Sequence, residues 1–83
     1  MIQELRQARD CLAEHKIIEA GRHIAVAFCV YESARAGTFT PRVRDTIFRA
    51  DRALAAREFA IAALAVDDGL RLLKKRVKYS SHP

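Results

Sequence analysis

The sequence has few of the residues that mark turns, covalent cross-links or large active sites. Its 83 residues include 3 glycines, 2 prolines, 2 cysteines and no tryptophan. So little glycine and proline argues against turn-rich β folds and collagen-like repeats, and the 51% of hydrophobic residues argues against disorder. Two cysteines are too few for the disulfide framework of a small secreted domain. The chain is long enough for one domain at most, which excludes a multidomain enzyme.

The sequence also lacks long hydrophobic runs and recognisable catalytic motifs. A membrane span needs about 20 consecutive apolar residues, and the first residues do not have the basic and apolar regions of a signal peptide. We therefore predict a cytoplasmic protein whose two thiols, Cys11 and Cys29, are reduced and buried. No glycine-rich phosphate loop, catalytic triad or spaced set of metal ligands is visible. We therefore expect no catalytic residues, no cofactor and no metal.

One segment combines a glycine with a proline and forms the one clear break in the chain. Gly37 suits the left-handed backbone that follows a helix, Thr40 can cap the next helix, and Pro41 suits its first turn. This segment predicts two helical halves, at about 2–36 and 41–78. Together they form a single helical domain over residues 1–78, followed by a flexible tail at 79–83.

The phase of the hydrophobic residues predicts a further break inside each half. The apolar stripe that contains Leu5 is displaced by about 150° from the stripe of Ile24, and the stripe of Ile47 by about 130° from that of Val66. Supercoiling moves a stripe by only about 20° per heptad, so it cannot produce either jump. The expected breaks lie near His15-Lys16 and near Arg57-Glu58.

These observations predict an all-α fold made of two antiparallel helical hairpins, with four helices in total. The alternative is one long helical hairpin that dimerises into a four-helix bundle. The two architectures differ in whether the helices continue through residues 15–17 and 57–59.

The two halves form an internal repeat when they are aligned at an offset of 42 residues. In each copy a small residue recurs after 12 and then 7 positions, and a bulky apolar residue, Ile17 or Phe59, stands three positions before the middle one. The small residues are Ala8, Ala20 and Ala27 in the first copy and Ala50, Ala62 and Gly69 in the second.

This pattern resembles the tetratricopeptide repeat, a helix-turn-helix unit whose small residues let its two helices approach closely. The resemblance implies stacked hairpins that recognise other proteins, as adaptors, chaperones and small regulators do. Two repeats are fewer than the three that an independently stable stack needs, so the resemblance also implies dimerisation or docking on a partner. No positions match the residues that clamp a peptide carboxylate in this family, so the ligand stays unspecified.

The net charge of +5 is concentrated at the C-terminal end. All ten acidic residues and ten of the fifteen basic residues lie within residues 1–70, so these charges cancel. The remaining basic residues are Arg71, Lys74, Lys75, Arg76 and Lys78. They either form a solvated helix end that complements the helix dipole or bind nucleic acid or an acidic partner.

A second basic cluster follows the break at Pro41. Arg42, Arg49 and Arg52 can share one helix face, where guanidinium groups suit carboxylate or phosphate partners. Phe39, in the loop before them, is the aromatic residue that we expect to be most exposed, and it either contacts a partner or folds back across the Thr40 cap. These four residues are the predicted partner-binding residues.

We therefore predict a non-enzymatic interaction module that acts as an adaptor, chaperone or inhibitor by covering a surface of another protein. A chain this short buries only about 60% of its unfolded surface, so we also expect it to form a homo-oligomer, and we expect no membrane contact. The alternative is a nucleic-acid-associated regulator that uses the basic C-terminal end. A third class, a ribonuclease with His82 as general acid or base, is disfavoured because a residue so near the chain end is hard to position.

Overall fold

A computed structural model of the chain describes the backbone of residues 1–80 and the side chains of residues 1–74. It contains four α-helices, and the prediction of an all-α fold with two hairpins is confirmed. The alternative of two uninterrupted helices is wrong, because each half breaks where the hydrophobic phase changes. The C-terminal residues 81–83, which include His82 and most of the predicted tail, lie outside the described residues. The helices are α1 (Ile2–Ala13), α2 (Ile17–Ser33), α3 (Pro41–Ala55) and α4 (Phe59–Ser80).

The break between α1 and α2 is a tight turn in which a non-glycine residue adopts the left-handed backbone. His15 has a φ of 61°. The N–H of Lys16 donates to the carbonyl of Cys11 at 2.8 Å, and the N–H of His15 donates to the carbonyl of Leu12 at 3.2 Å. These two bonds define a Schellman motif, which pairs the carbonyls that a helix C-terminus leaves free.

The break between α3 and α4 repeats this turn at the offset of 42. Arg57 also has a φ of 61°. The N–H of Glu58 donates to the carbonyl of Ala53 at 2.8 Å, and that of Arg57 donates to Leu54 at 3.0 Å. The internal repeat is therefore present in the backbone as well as in the sequence. Neither turn contains glycine, so each places a side chain in a conformation that glycine adopts more readily.

The loop between the hairpins contains the predicted glycine and proline features. Gly37 has a φ of 88°, and Pro41 is the first residue of α3. Thr40 occupies the N-cap position, but its hydroxyl makes no capping hydrogen bond, so that part of the prediction is wrong. Instead, its backbone carbonyl accepts a hydrogen bond from the N–H of Val43 at 3.0 Å.

The four helices pack as a closed ring. Each helix packs against its hairpin partner, and the hairpins meet along two seams, where α2 packs on α3 and α4 packs on α1. Within the described residues, the diagonal pairs α1–α3 and α2–α4 have no close backbone approach. Exchange of the two halves therefore maps the α2–α3 seam onto the α4–α1 seam, as expected of a pseudo-twofold arrangement.

The core is built from equivalent residues of the two copies. The largest fully buried side chains are Leu5, Ile24, Ile47 and Val66, which form two pairs related by the offset. All six small residues of the repeat pattern are buried. At Gly69 an added Cβ would lie 2.8 Å from Oγ1 of Thr46, so α3 and α4 approach too closely there for any larger residue. The small residues therefore permit close helix packing, as the repeat pattern predicts.

The two cysteines are more exposed than we predict from the sequence, and one phenylalanine is also partly exposed. Cys11 is half-buried and Cys29 is exposed, and both are free thiols. Cys29 follows the buried Ala27 by two positions, so it lies about 200° around the helix and points away from the core. Phe59 is 37% exposed because it is the first residue of α4, at the end of the bundle.

Candidate protein-interaction surface

An apolar cleft of about 310 Å³ lies along the α2–α3 seam. We call it the aromatic cleft, because two phenylalanines from the two helices meet in it. Its residues are apolar except for one carboxylate at the rim. They are Ile24, Ala25, Phe28 and Cys29 from α2 and Ile47, Phe48 and Asp51 from α3.

The two rings of the cleft form a partly exposed aromatic pair. Phe28 and Phe48 pack edge to face, with ring centroids 6.1 Å apart and an interplanar angle of 61°. Phe28 is half-buried against the core, whereas 44% of Phe48 is exposed to solvent. Edge-to-face packing stabilises such a pair by about 0.5–1.5 kcal/mol beyond the area that it buries. The cleft therefore presents two packed rings, one of which is partly open to solvent.

A guanidinium group covers one end of this aromatic pair. The Cζ atom of Arg44 lies 5.8 Å from the Phe28 centroid and 5.7 Å from the Phe48 centroid, which is within cation–π range. Its Nε lies 3.8 Å from a carboxylate oxygen of Glu32 across the seam. The cleft thus combines an apolar floor with a charged rim, the composition of many protein-binding hot spots.

The outward face of α2 extends this apolar surface. A helix that packs one face against a core normally carries polar residues on the other face. In α2 the outward positions include Ile18, which is 77% exposed, Val26, which is 45% exposed, and the exposed Ala25 and Cys29. Four residues follow one another along this face at spacings of 3, 4 and 3. We call them the outer stripe of α2: Arg22, Ala25, Cys29 and Glu32.

The equivalent seam between α4 and α1 has a different surface chemistry. At the positions that correspond to Ala25 and Cys29 it carries Asp67 and Arg71, and Arg6 replaces Phe48. An ion pair between Arg9 and Asp67, with 3.3 Å between Nη1 and Oδ1, crosses this seam. Equivalent backbone positions therefore carry charged side chains at the α4–α1 seam and apolar side chains at the α2–α3 seam.

A second group of exposed apolar residues lies on α4. Leu64 is 63% exposed and Ile61 is 47% exposed. No aromatic pair accompanies them, and the next outward residue, Asp68, forms ion pairs with two arginines. This patch therefore differs from the aromatic cleft in having no exposed aromatic pair.

The predicted arginine cluster is divided between two grooves. Arg42 and Arg49 line a groove of about 280 Å³ between α3 and α4, together with Arg71. Asp68 lies between two of these cations, with 3.9 Å to Arg49 and 3.7 Å to Arg71. Arg52 lines an adjoining shallow groove with Phe48, and Arg49 lines both grooves. The structure therefore brings Arg71, which we assigned to the separate C-terminal basic group, to two members of the cluster.

The remaining predicted site residues are in the loop and at the chain end. Phe39 is half-buried, and its ring stacks on Tyr31 with centroids 6.0 Å apart, so the expectation that it is the most exposed aromatic residue is wrong. The internal contact with Tyr31 explains its burial. In the C-terminal basic group, Arg71 and Lys74 are exposed. The side chains of Lys75, Arg76 and Lys78 lie outside the described residues.

Phe48, which lines the aromatic cleft with Phe28, and Arg44, which covers one end of this ring pair, are not among the site residues predicted from the sequence. A signal was present in α2, because a second apolar stripe that includes Ala25 and Cys29 runs along the face opposite its core residues. A helix with two apolar faces needs two neighbours, and the bundle covers only one of these faces.

Outside the cleft, the close polar pairs are structural. Nδ1 of His23 lies 2.9 Å from Oε2 of Glu4, and this pair joins α2 to α1. In the turn between α1 and α2, a hydrogen bond to Glu14 and the negative charge of that residue raise the pKa of Lys16. The Nζ atom of Lys16 lies 3.2 Å from the Glu14 carboxylate. In the described part of the chain no group of three or more His, Cys, Asp or Glu residues is arranged to hold a metal ion, and no helix is long and apolar enough to cross a membrane.

Comparisons with protein-family models, with curated protein sequences and with solved structures find no match to this chain.

Proposed function

We propose that this chain is a small, non-enzymatic protein-interaction module. It binds a helix or an apolar segment of another protein in the aromatic cleft and acts as an adaptor, chaperone or inhibitor by covering that surface. The main observation behind this proposal is Phe48, a 44% exposed aromatic side chain that contacts Phe28 and Arg44 at the α2–α3 seam.

Burial energetics support this assignment. Removal of apolar surface from water contributes about 25 cal/mol per Å², and aromatic anchors in well-packed clefts supply a large share of interface free energy. Arg44 adds a donor beside the rings that can reach a carboxylate or carbonyl of the partner. A partner that places an apolar side chain against Phe48 and an acceptor against Arg44 would use both groups.

The tetratricopeptide resemblance and the expected homo-oligomer belong to the same proposal. The buried small residues of both copies support the resemblance, since they have the close-packing role that the pattern requires. An uncovered apolar face on α2 supports association with a second copy or with another protein.

The direct test replaces Phe48 with arginine, the residue at the equivalent position of the other seam. Phe59→Arg is the matched control, because Phe59 is also partly exposed but lies at the start of α4. The binding measured is that of a host protein which co-purifies with the wild-type chain. We expect Phe48→Arg to weaken this binding by about tenfold or more, and Phe59→Arg to change it by less than about threefold. Circular dichroism should show both variants folded. Equal binding by the two variants would contradict the proposal.

A second candidate function, nucleic-acid association, is favoured by the grouping of Arg42, Arg49 and Arg71 around one groove. Phosphate contacts would give a steep dependence of affinity on salt concentration. The C-terminal segment cannot simply be deleted to test this, because Leu73 is buried in the core. Substitution of Arg42, Arg49 and Arg71 by glutamine should instead abolish binding to a duplex oligonucleotide, because these residues line the groove. An affinity that is insensitive to salt would exclude this function.

A further inference from the structure

We propose that the occupant of the outer stripe of α2 is the same stripe of a second copy of this chain, packed antiparallel about a twofold axis. This inference rests on the proposed function and names its partner. The stripe includes Ala25 and Cys29 of the aromatic cleft, so a second copy and any other protein compete for these two residues.

The pattern of the stripe is self-complementary. Its residues follow at spacings of 3, 4 and 3, so the spacing is the same from either end. In an antiparallel pair centred on this stripe, Arg22 therefore faces the partner's Glu32, and Ala25 faces the partner's Cys29. The two charged ends are about 15 Å apart along the helix, at a rise of about 1.5 Å per residue. Each dimer would contain two copies of each contact, as a twofold interface requires.

The charges at the two ends of the stripe are available for such contacts. Within the described residues, Arg22 takes part in no ion pair. The carboxylate of Glu32 is 55% exposed and has only a long contact of 3.8 Å, to Arg44. Two pairs between Arg22 and the partner's Glu32 would fix the register of the helices and exclude a parallel arrangement, in which like charges would meet.

Small residues at the centre of the stripe allow the helices to pack closely. Ala25 and Cys29 are both exposed, and helices with small contact residues can pack with axes about 8 Å apart. Val26 and Phe48, both partly exposed, flank this centre and would become covered. The equivalent stripe of α4 lacks this symmetry, because its ends are Leu64 and Lys74, which cannot form an ion pair.

Charge reversal tests the predicted register. We expect Arg22→Glu to raise the dimer dissociation constant by about tenfold or more, since it places two like-charge pairs in the interface. The double variant Arg22→Glu with Glu32→Arg should restore the constant to within about threefold of wild type. Arg6→Glu, an exposed charge reversal on α1, is the control. Sedimentation equilibrium measures all four chains. An Arg22→Glu effect equal to that of Arg6→Glu, or no rescue, would overturn the inference.

Cysteine cross-linking tests the contact at the centre. In this register Ala25→Cys lies beside the partner's Cys29, whereas the two native Cys29 residues are offset by about 6 Å along the axis. Mild oxidation should therefore give a covalent dimer in more than about half of the Ala25→Cys chains and in fewer than about a tenth of wild-type chains. The variant Ala25→Cys with Cys29→Ser should also stay uncross-linked. Equal cross-linking in all three chains would contradict the antiparallel register.

The outcomes separate this inference from the proposed function. A wild-type chain that sediments as a monomer at about 1 mM overturns the dimer. Its dissociation constant would then be larger than about 1 mM, too weak for a specific interface. If that monomer still retains a host protein that Phe48→Arg loses, the proposed function stands. If Phe48→Arg and Phe59→Arg retain host protein equally while the dimer forms as described, the binding of other proteins is overturned and the dimer stands.

Discussion

The α2–α3 seam and the α4–α1 seam are built from equivalent helices but differ at almost every exposed position. Phe48, Ala25 and Cys29 on one seam correspond to Arg6, Asp67 and Arg71 on the other. An ion pair crosses the charged seam, and the exposed apolar residues of α4, Ile61 and Leu64, lie outside the pair. The apolar seam leaves an aromatic ring and a helix face exposed.

This difference separates the residues that specify the fold from those that set the chemistry of the surface. Five pairs of equivalent positions are buried in both halves, and the two Schellman turns share the same hydrogen bonds. Because stability requires only the matched core, the exposed positions of each seam can differ freely. An apolar seam beside a charged equivalent is therefore evidence for a binding surface rather than for a requirement of the fold.

The largest expected effects are on the matched core and should be equal in the two halves. Leu5 and Ile47 occupy equivalent positions and are both 1% exposed. Truncation of either to alanine removes buried contacts and leaves a cavity, so each should lower the free energy of unfolding by about 3 kcal/mol. Urea denaturation checks this. Costs that differ by more than about 2 kcal/mol would contradict the equivalence of the two copies.

A smaller effect is expected where the copies differ in the core. Gly69 corresponds to Ala27, but an added Cβ at Gly69 would lie 2.8 Å from Oγ1 of Thr46. Gly69→Ala should therefore destabilise the chain by about 2 kcal/mol. The double variant with Thr46→Ala should lose less than the sum of the two single changes, because the clash is absent. Additive thermal-denaturation results would show that this clash is not the cause.

The two turns should respond alike to glycine, with a gain in stability. His15 and Arg57 both have a φ of 61°, which costs free energy for any residue with a Cβ. Either His15→Gly or Arg57→Gly should raise the free energy of unfolding by about 0.5 to 1 kcal/mol. Glycine at the neighbouring helical position Ala13 or Ala55 should instead lower it. A loss of stability at both turns would contradict the left-handed assignment.

The smallest effect is expected at the ion pair of the charged seam. Arg9 and Asp67 are both well exposed, with side chains 49% and 38% accessible. Arg9→Ala should change the free energy of unfolding by about 0.5 kcal/mol or less, because solvent screens such pairs. A loss above about 1.5 kcal/mol would show that charge contributes to the fold at this seam.

The sequence was sufficient for the fold but not for the site. The phase jumps near His15 and Arg57 located both breaks, because the core requires each helix to turn an apolar stripe inward. The seam partners could not be predicted, since the ring closure of α1 on α4 depends on packing between distant segments. Phe48 was therefore missed, and Phe39 was assigned an exposure that its stacking on Tyr31 prevents.

Amide hydrogen exchange tests the central claim most directly. The measurement compares the chain at low concentration, where it is free, with the chain bound to a second copy or to a retained protein. Our account predicts that binding adds protection to the α2–α3 seam, at residues 22–32 and 44–51, and leaves the α4–α1 seam, at residues 2–9 and 64–74, unchanged. New protection confined to residues 2–9 and 64–74 would contradict the assignment of the apolar seam as the binding surface.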